Sequence, residues 1–229
     1  MGRAIADYHA NGKAAKLRVL SPMFDEDEIP VTTLFRTFDT MPAIEQEALR
    51  QARGTILDVG AGAGCHSLAL QQMGKQVTAI DISPLAVETM RQRGVADVRQ
   101  QDFFTLEGSF DTILMLMNGI GIVGTISRMQ AFFMQVNRLL APGGQLLCDS
   151  SDICYVFEDE DGFIDLTGIE GYYGELTYQI RYKNVKGEEF PWLFIDPDTL
   201  RDCAATNGFV CDIIARGDHY DYLARLTRR

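Results

Sequence analysis

The chain has 229 residues, of which 46% are hydrophobic and 23% charged, and its formal net charge is −11. That length supports one large domain, or one domain with an added lobe, with roughly 70% of the unfolded surface available for burial. The acidic balance, with no Lys/Arg cluster beyond Arg228-Arg229, argues against a phosphate-backbone partner, so no nucleic acid is expected. Five cysteines (Cys65, Cys148, Cys154, Cys203 and Cys211) are odd in number and contain no Cys-x-x-Cys pair. They suggest neither a zinc site nor a redox pair, and free thiols in a reducing cytoplasm fit them best. The start of the chain lacks the apolar run of a signal peptide, and the longest apolar stretch, 112–126, is too short to cross a bilayer. A cytoplasmic protein with no membrane association is expected.

In chain order, the first forty residues read as irregular, with the acidic run Asp25-Glu26-Asp27-Glu28 as a solvated loop. Thr40 as N-cap, Pro42 in the first turn and Gly54 past the end predict a helix between them. A strand over 55–59, a helix from Cys65 to Met73 and a strand over 76–81 follow. Ser83 as N-cap, Pro84 at the first position and Gly94 beyond the end predict the next helix. Short strands are expected over 98–101 and 111–117, then a helix over 126–140, the turn Pro142-Gly143-Gly144 and a strand over 145–149. A helix over 197–207 and strands over 210–215 and 220–226 close the chain. Strands spaced by helices imply right-handed crossovers and a mostly parallel sheet. The last two strands are joined by too short a link for a parallel crossover, so they should be antiparallel.

The interval 150–195 breaks this rhythm and holds ten of the chain's 22 aromatic residues. Leu176, Tyr178, Ile180 and Tyr182 alternate with polar residues, as do Phe190, Trp192 and Phe194, and 184–187 reads as the turn between them. The interval therefore reads as an aromatic-rich β-hairpin inserted after the fifth strand. The resulting division is an N-terminal lid or helical segment over 1–54 and an α/β domain over 55–229.

The chemistry-bearing stretch is Ile56-Leu57-Asp58-Val59-Gly60-Ala61-Gly62-Ala63-Gly64, a strand that enters a helix through alternate glycines. Glycine permits the tight turn and lets a ligand lie against the backbone, and the helix start offers free N–H groups. Asp81 falls at the end of the next strand, where a carboxylate can accept hydrogen bonds from a ribose diol. The dinucleotide fingerprint G-x-G-x-x-G is not met, because Cys65 stands where the third glycine would fall. Gly119, Gly121 and Gly124 fit that fingerprint after a strand but lack the acidic residue it needs, and read as a loop.

Together these features resemble the class I S-adenosylmethionine-dependent methyltransferases. The resemblance implies a Rossmann-like, doubly wound, mostly parallel seven-stranded sheet of order 3-2-1-4-5-7-6 with strand 7 antiparallel. It implies S-adenosylmethionine as cofactor, with Asp58, Gly60, Ala61 and Gly62 at its amino-acid end and Asp81 on the ribose. Ile82 would lie beside the adenine, Asp102 would bond its amino group and Phe103 would stand against the ring. Asn118 would bond the cofactor or the substrate, or else simply form a turn before Gly119. No metal is implied. The acceptor is expected to be a small molecule, with Phe35 and Arg36 as candidate substrate contacts and Tyr8, His9, His66 and His219 as weaker ones. Two other readings stay open on the sequence: an NAD(P)-dependent oxidoreductase, and a non-catalytic S-adenosylmethionine-binding module.

Overall fold

The alternating faces of three central strands organise the molecule. Our computed structural model describes residues 1–159 and 161–229. In β3 (Thr55–Val59), Ile56 points to one face of the sheet and Leu57 to the other. The same division holds for Leu114 against Ile113 and Met115 in β6 (Phe110–Met115), and for Leu147 against Leu146 and Cys148 in β7 (Leu140–Ser151). Both faces of these strands are apolar, as a parallel sheet covered on both sides requires. One face packs on α2 (Ala43–Gln51) and α3 (Cys65–Gln72), the other on α5 (Met129–Leu139) and α6 (Pro197–Thr206).

The remaining strands are β4 (Gln76–Asp81), β5 (Asp97–Gln100), β10 (Phe209–Arg216) and β11 (Asp221–Arg228), with α4 (Pro84–Gln92) between β4 and β5. The sheet order is β10-β11-β7-β6-β3-β4-β5, the order 3-2-1-4-5-7-6 read from the other edge. β11 is antiparallel to both β7 and β10. Among the described residues, no helix is long and apolar enough to cross a membrane.

The N-terminal expectation needs correction. Residues 2–11 form a helix, α1 (Gly2–Asn11), followed by the strands β1 (Leu17–Leu20) and β2 (Asp27–Ile29). Part of the acidic run is therefore an edge strand: Asp27, Glu28 and Ile29 pair with Val19, Arg18 and Leu17. Cross-strand charge supports it, with Lys16 on Glu28 at 2.8 Å and Arg18 on Glu26 at 3.0 Å. A three-residue strand, two of whose residues are charged, has no period of its own to read; only its partner selects it.

The aromatic interval forms the expected hairpin, with a partner the sequence did not indicate. Its hairpin, β8 (Glu175–Tyr182) and β9 (Val185–Leu193), pairs through β8 with β1, giving a second sheet of order β2-β1-β8-β9. The insertion and the N-terminal segment thus build one unit. The chain reverses at Lys183-Asn184, earlier than expected, with a left-handed φ of 53° at Lys183.

β9 lands on the 119–123 turn, which explains the second run of glycines. A Cβ at Gly121 would stand 2.3 Å from the Trp192 indole, and one at Gly124 would meet Pro191 at 3.0 Å. Those glycines make room for a packed indole, not for a ligand. Gly121→Ala should therefore destabilise the protein by about 1–3 kcal/mol through overpacking. The check is the denaturant midpoint, and an unaltered midpoint would remove Trp192 from this contact.

Candidate active site

β3 leads into the 60–64 loop, where Gly60 and Gly62 have φ values of 68° and 58°. A residue with a Cβ would be strained there. No heavy atom lies within 4 Å of where a Gly60 Cβ would stand, so a ligand has open access to this backbone. Ala61 is buried, and its N–H donates to the Ile80 carbonyl at 3.0 Å, which ties the loop to β4.

Asp81 ends β4 and faces the loop. Its Oδ2 accepts from the Gly62 N–H at 2.9 Å and its Oδ1 from the Ser83 N–H at 2.8 Å. Burial pushes its carboxyl up, and the N–H donors of Ser83 and Gly62 oppose that. Each oxygen keeps a lone pair for another donor. Ile82 beside it is 73% exposed, an unusual position for a large aliphatic side chain, and Ser83 caps α4 through the Ala86 N–H. The geometry fits a ligand with a diol on Asp81 and a flat apolar group over Ile82.

A buried group of charges lies beneath the loop. Glu45 of α2 is 4% exposed and accepts from two partners: Arg36 Nη2 at 2.7 and 2.8 Å, and His66 Nε2 at 2.7 Å. Burial pulls the His66 pKa down, but the Cys65 sulfur, Glu45 and Asp58 outweigh it and hold the imidazole protonated. Asp58 accepts from the Ser67 hydroxyl at 2.5 Å, and burial pushes its pKa up. Asp149 of β7 is also buried and accepts from the N–H groups of Met117 at 3.0 Å and Gly119 at 3.3 Å. Neither Glu45 nor Asp149 stands out in the sequence. Glu45 falls inside a predicted helix without a motif to mark it, and Asp149 reads as the last residue of a strand.

A family model described as a methyltransferase domain matches residues 56–144. The chain is similar over 99% of its length to an S-adenosylmethionine-dependent methyltransferase from Bacteroides fragilis, solved with S-adenosyl-L-homocysteine. The two are 55% identical, 93% of that protein is covered, and the TM-score is 0.93. The chain belongs to the S-adenosylmethionine-dependent methyltransferase family. Curated relatives are matched over a shorter span. A demethylmenaquinone methyltransferase from Tropheryma whipplei is 34% identical over 103 residues, 42% of this chain and 41% of that protein. A ubiquinone biosynthesis O-methyltransferase from Xanthomonas oryzae is 32% identical over 104 residues, 42% of each. The chain thus spans about two fifths of the length of the curated relatives it matches.

Against the methyltransferase pattern, the 60–64 loop, Asp81 and Ile82 come together at the C-terminal edge of β3 and β4, where open α/β sheets bind ligands. Asp102, exposed in the loop after β5, caps the short turn 103–105 through the Phe104 N–H at 2.9 Å. Other expectations are corrected. Asp58 is turned inward and braces the start of α3 through Ser67, so it shapes the loop from below. Phe103 is 3% exposed, and its ring packs in the core against Phe104 and Phe132 instead of facing outward. Asn118 gives its side chain to the fold: Oδ1 accepts from the Ser150 hydroxyl at 2.9 Å, and Nδ2 donates to the Leu193 carbonyl at 3.3 Å.

The two substrate candidates also serve inside the molecule. Phe35 is sandwiched by the Tyr8 ring, centroids 4.6 Å apart, and the Arg93 guanidinium, 4.6 Å above it. Arg36 is forked onto Glu45, with its Nε buried and without a partner among the described residues. His9 is exposed, as is His219 in the loop before β11, and Cys65 is a core residue.

Proposed function

We propose that this protein moves the methyl group of S-adenosylmethionine to a small-molecule acceptor at the C-terminal edge of β3, β4, β6 and β7. The observation that carries the reading is the Asp81 carboxylate fixed on the Gly62 N–H beside the exposed Ile82. Gly60, Ala61 and Gly62 would hold the amino-acid end of the cofactor, Asp81 the ribose diol, and Ile82 and Asp102 the adenine.

When bound, the cofactor supplies an electrophilic methyl on a sulfonium that is already a good leaving group. Gly60, Ala61, Gly62 and Asp81 would hold the donor so that an acceptor lone pair could approach the methyl carbon opposite the carbon–sulfur bond, whose electron pair would stay with sulfur. The protein's part is therefore alignment and exclusion of water. A base is needed only if the acceptor atom carries a proton to lose. Residues 1–54 would serve as a lid: α1 lies along α4, and its Ile5 packs with Leu34, Ala63 and Ala86 next to the loop.

The quinone-pathway relatives support a small organic acceptor. Residues 152–175, which follow β7 at this edge, contain eight Asp or Glu and no Lys or Arg. That field disfavours anionic acceptors, nucleic acid included. The five unpaired thiols support a reducing, cytoplasmic setting.

The test has two parts. S-adenosyl-L-homocysteine at about a hundred times its Kd should stabilise the chain by about 2.7 kcal/mol, read as a rise in Tm. Label from methyl-tritiated S-adenosylmethionine should then appear in the low-molecular-weight fraction of a metabolite extract. Absence of any Tm rise would overturn the cofactor assignment. A Tm rise without transfer to any extract would favour a binding module over an enzyme.

A further inference from the structure

Asp149 ends the apolar run of β7, across from the end of β6. It is 5% exposed, yet it carries a carboxylate. Both oxygens are used: Oδ2 accepts from the Met117 N–H at 3.0 Å, and Oδ1 from the Gly119 N–H at 3.3 Å. Between these two donors the backbone is unusual. Met117 and Asn118 are consecutive non-glycine residues with φ values of 62° and 55°. Such residues keep a left-handed conformation only where their surroundings over-determine it. Met117 packs with Ile5, Leu34, Ala63 and Ala86, which places this turn against the glycine loop and α1.

Building on the methyl-transfer reading above, we infer that Asp149 is a positioning residue: ionised, it clamps the Met117–Gly119 turn that walls the cofactor site, and protonated, it releases that turn. The reason is donor and acceptor count. An ionised carboxylate accepts with both oxygens, and so satisfies both N–H groups. A protonated one carries its own hydrogen on one oxygen, which becomes a neutral and poorer acceptor, so one backbone contact is weakened.

The surroundings set this change in the neutral range. Glu45 faces Asp149 from α2 and His66 from α3; Arg36 is bonded to Glu45, Asp58 lies beside His66 from β3, and Cys148 precedes it on its own strand. Burial pushes the Asp149 carboxyl up to about 7, Glu45 adds to this, and the two N–H donors and His66 oppose it. A cationic sulfonium nearby would favour the ionised form, so cofactor binding should release a proton from Asp149.

The test uses the full chain, labelled with 15N and 13C. In the cofactor-free protein, the amide resonances of Met117 and Gly119 should move together with pH, with a midpoint near 7 that matches the Asp149 side-chain carboxyl carbon. In Asp149→Asn that inflection should vanish. Affinity for S-adenosylmethionine, measured by calorimetry, should rise about tenfold between about pH 6 and about pH 8 in the wild type and stay flat in the variant. S-adenosylhomocysteine, which lacks the sulfonium charge, should show a smaller rise. Amides that do not titrate, or that keep their midpoint in Asp149→Asn, would overturn the inference. If the variant does not fold, the wild-type carboxyl carbon decides alone, and a midpoint near 4 overturns it. If the amides titrate as expected but S-adenosylmethionine does not bind, the methyl-transfer reading fails and the clamp stands.

Discussion

Asp81→Ala is expected to weaken S-adenosylmethionine binding by about a hundredfold to ten-thousandfold. Two hydrogen bonds from a ribose diol to a carboxylate contribute about 1.5–3 kcal/mol each, and alanine removes both. The structure adds a second loss. The same carboxylate holds the Gly62 and Ser83 N–H groups, so alanine also loosens the glycine loop and the start of α4. Asp81→Asn separates the two effects. Its amide oxygen can hold one N–H and accept from one hydroxyl, so its affinity should fall between wild type and alanine. Calorimetric titration with S-adenosylhomocysteine checks both variants, and an Asp81→Ala protein that binds like wild type would refute the site assignment.

Glu45→Ala should be the most damaging substitution to stability among these residues. It leaves the Arg36 guanidinium and the His66 imidazolium buried without their shared anion. Breaking a buried pair in this way costs about 3–5 kcal/mol. For a chain of this size that is roughly 6–20 °C in Tm. A Tm within about 1 °C of wild type would show that Glu45 does not bind this group of charges together.

The pH dependence carries a further signature. The His66 pKa is raised in the folded protein, so its stabilising pairing is fully present below its unfolded value, near 6.5, and is lost as pH rises through the folded value. Asp149 acts in the same direction. With its pKa raised to about 7, the folded state holds a proton that the unfolded state has released, and stability falls as pH rises between the two values. The Asp149 contribution should therefore be lost between about pH 4 and about pH 7 and the His66 contribution above about pH 6.5, and Glu45→Ala should flatten the His66 part of that slope.

Much of this architecture was legible in the residues. The helices around Pro84 and Pro197 have the proline, the N-cap side chain and the apolar periodicity that specify them locally, and both form with Ser83 and Asp196 as caps. The glycine loop and Asp81 were legible because backbone conformation and hydrogen-bonding chemistry restrict those positions to few residue types. β1 and β2 were not. They are four and three residues long; β1 pairs with β8, which lies more than 150 residues away in sequence, and β2 pairs only with β1.

The candidate site divides along the same line. The sequence determined that a strand enters a helix through Gly60 and Gly62, that an acid follows at Asp81, and that the strand order ends in an antiparallel pair. Those features are local, or follow from short-range connection rules. Only the tertiary structure decided which acids turn into the fold and which face the glycine loop. Asp58, Asp102 and Asp149 each lie within two residues of a strand's predicted C-terminal end and look alike in one dimension. Packing turns Asp58 onto Ser67, leaves Asp102 exposed and sets Asp149 on the Met117 and Gly119 N–H groups. A side chain's role depends on which donors lie within about 3 Å of it, and those donors come from segments that only folding brings together.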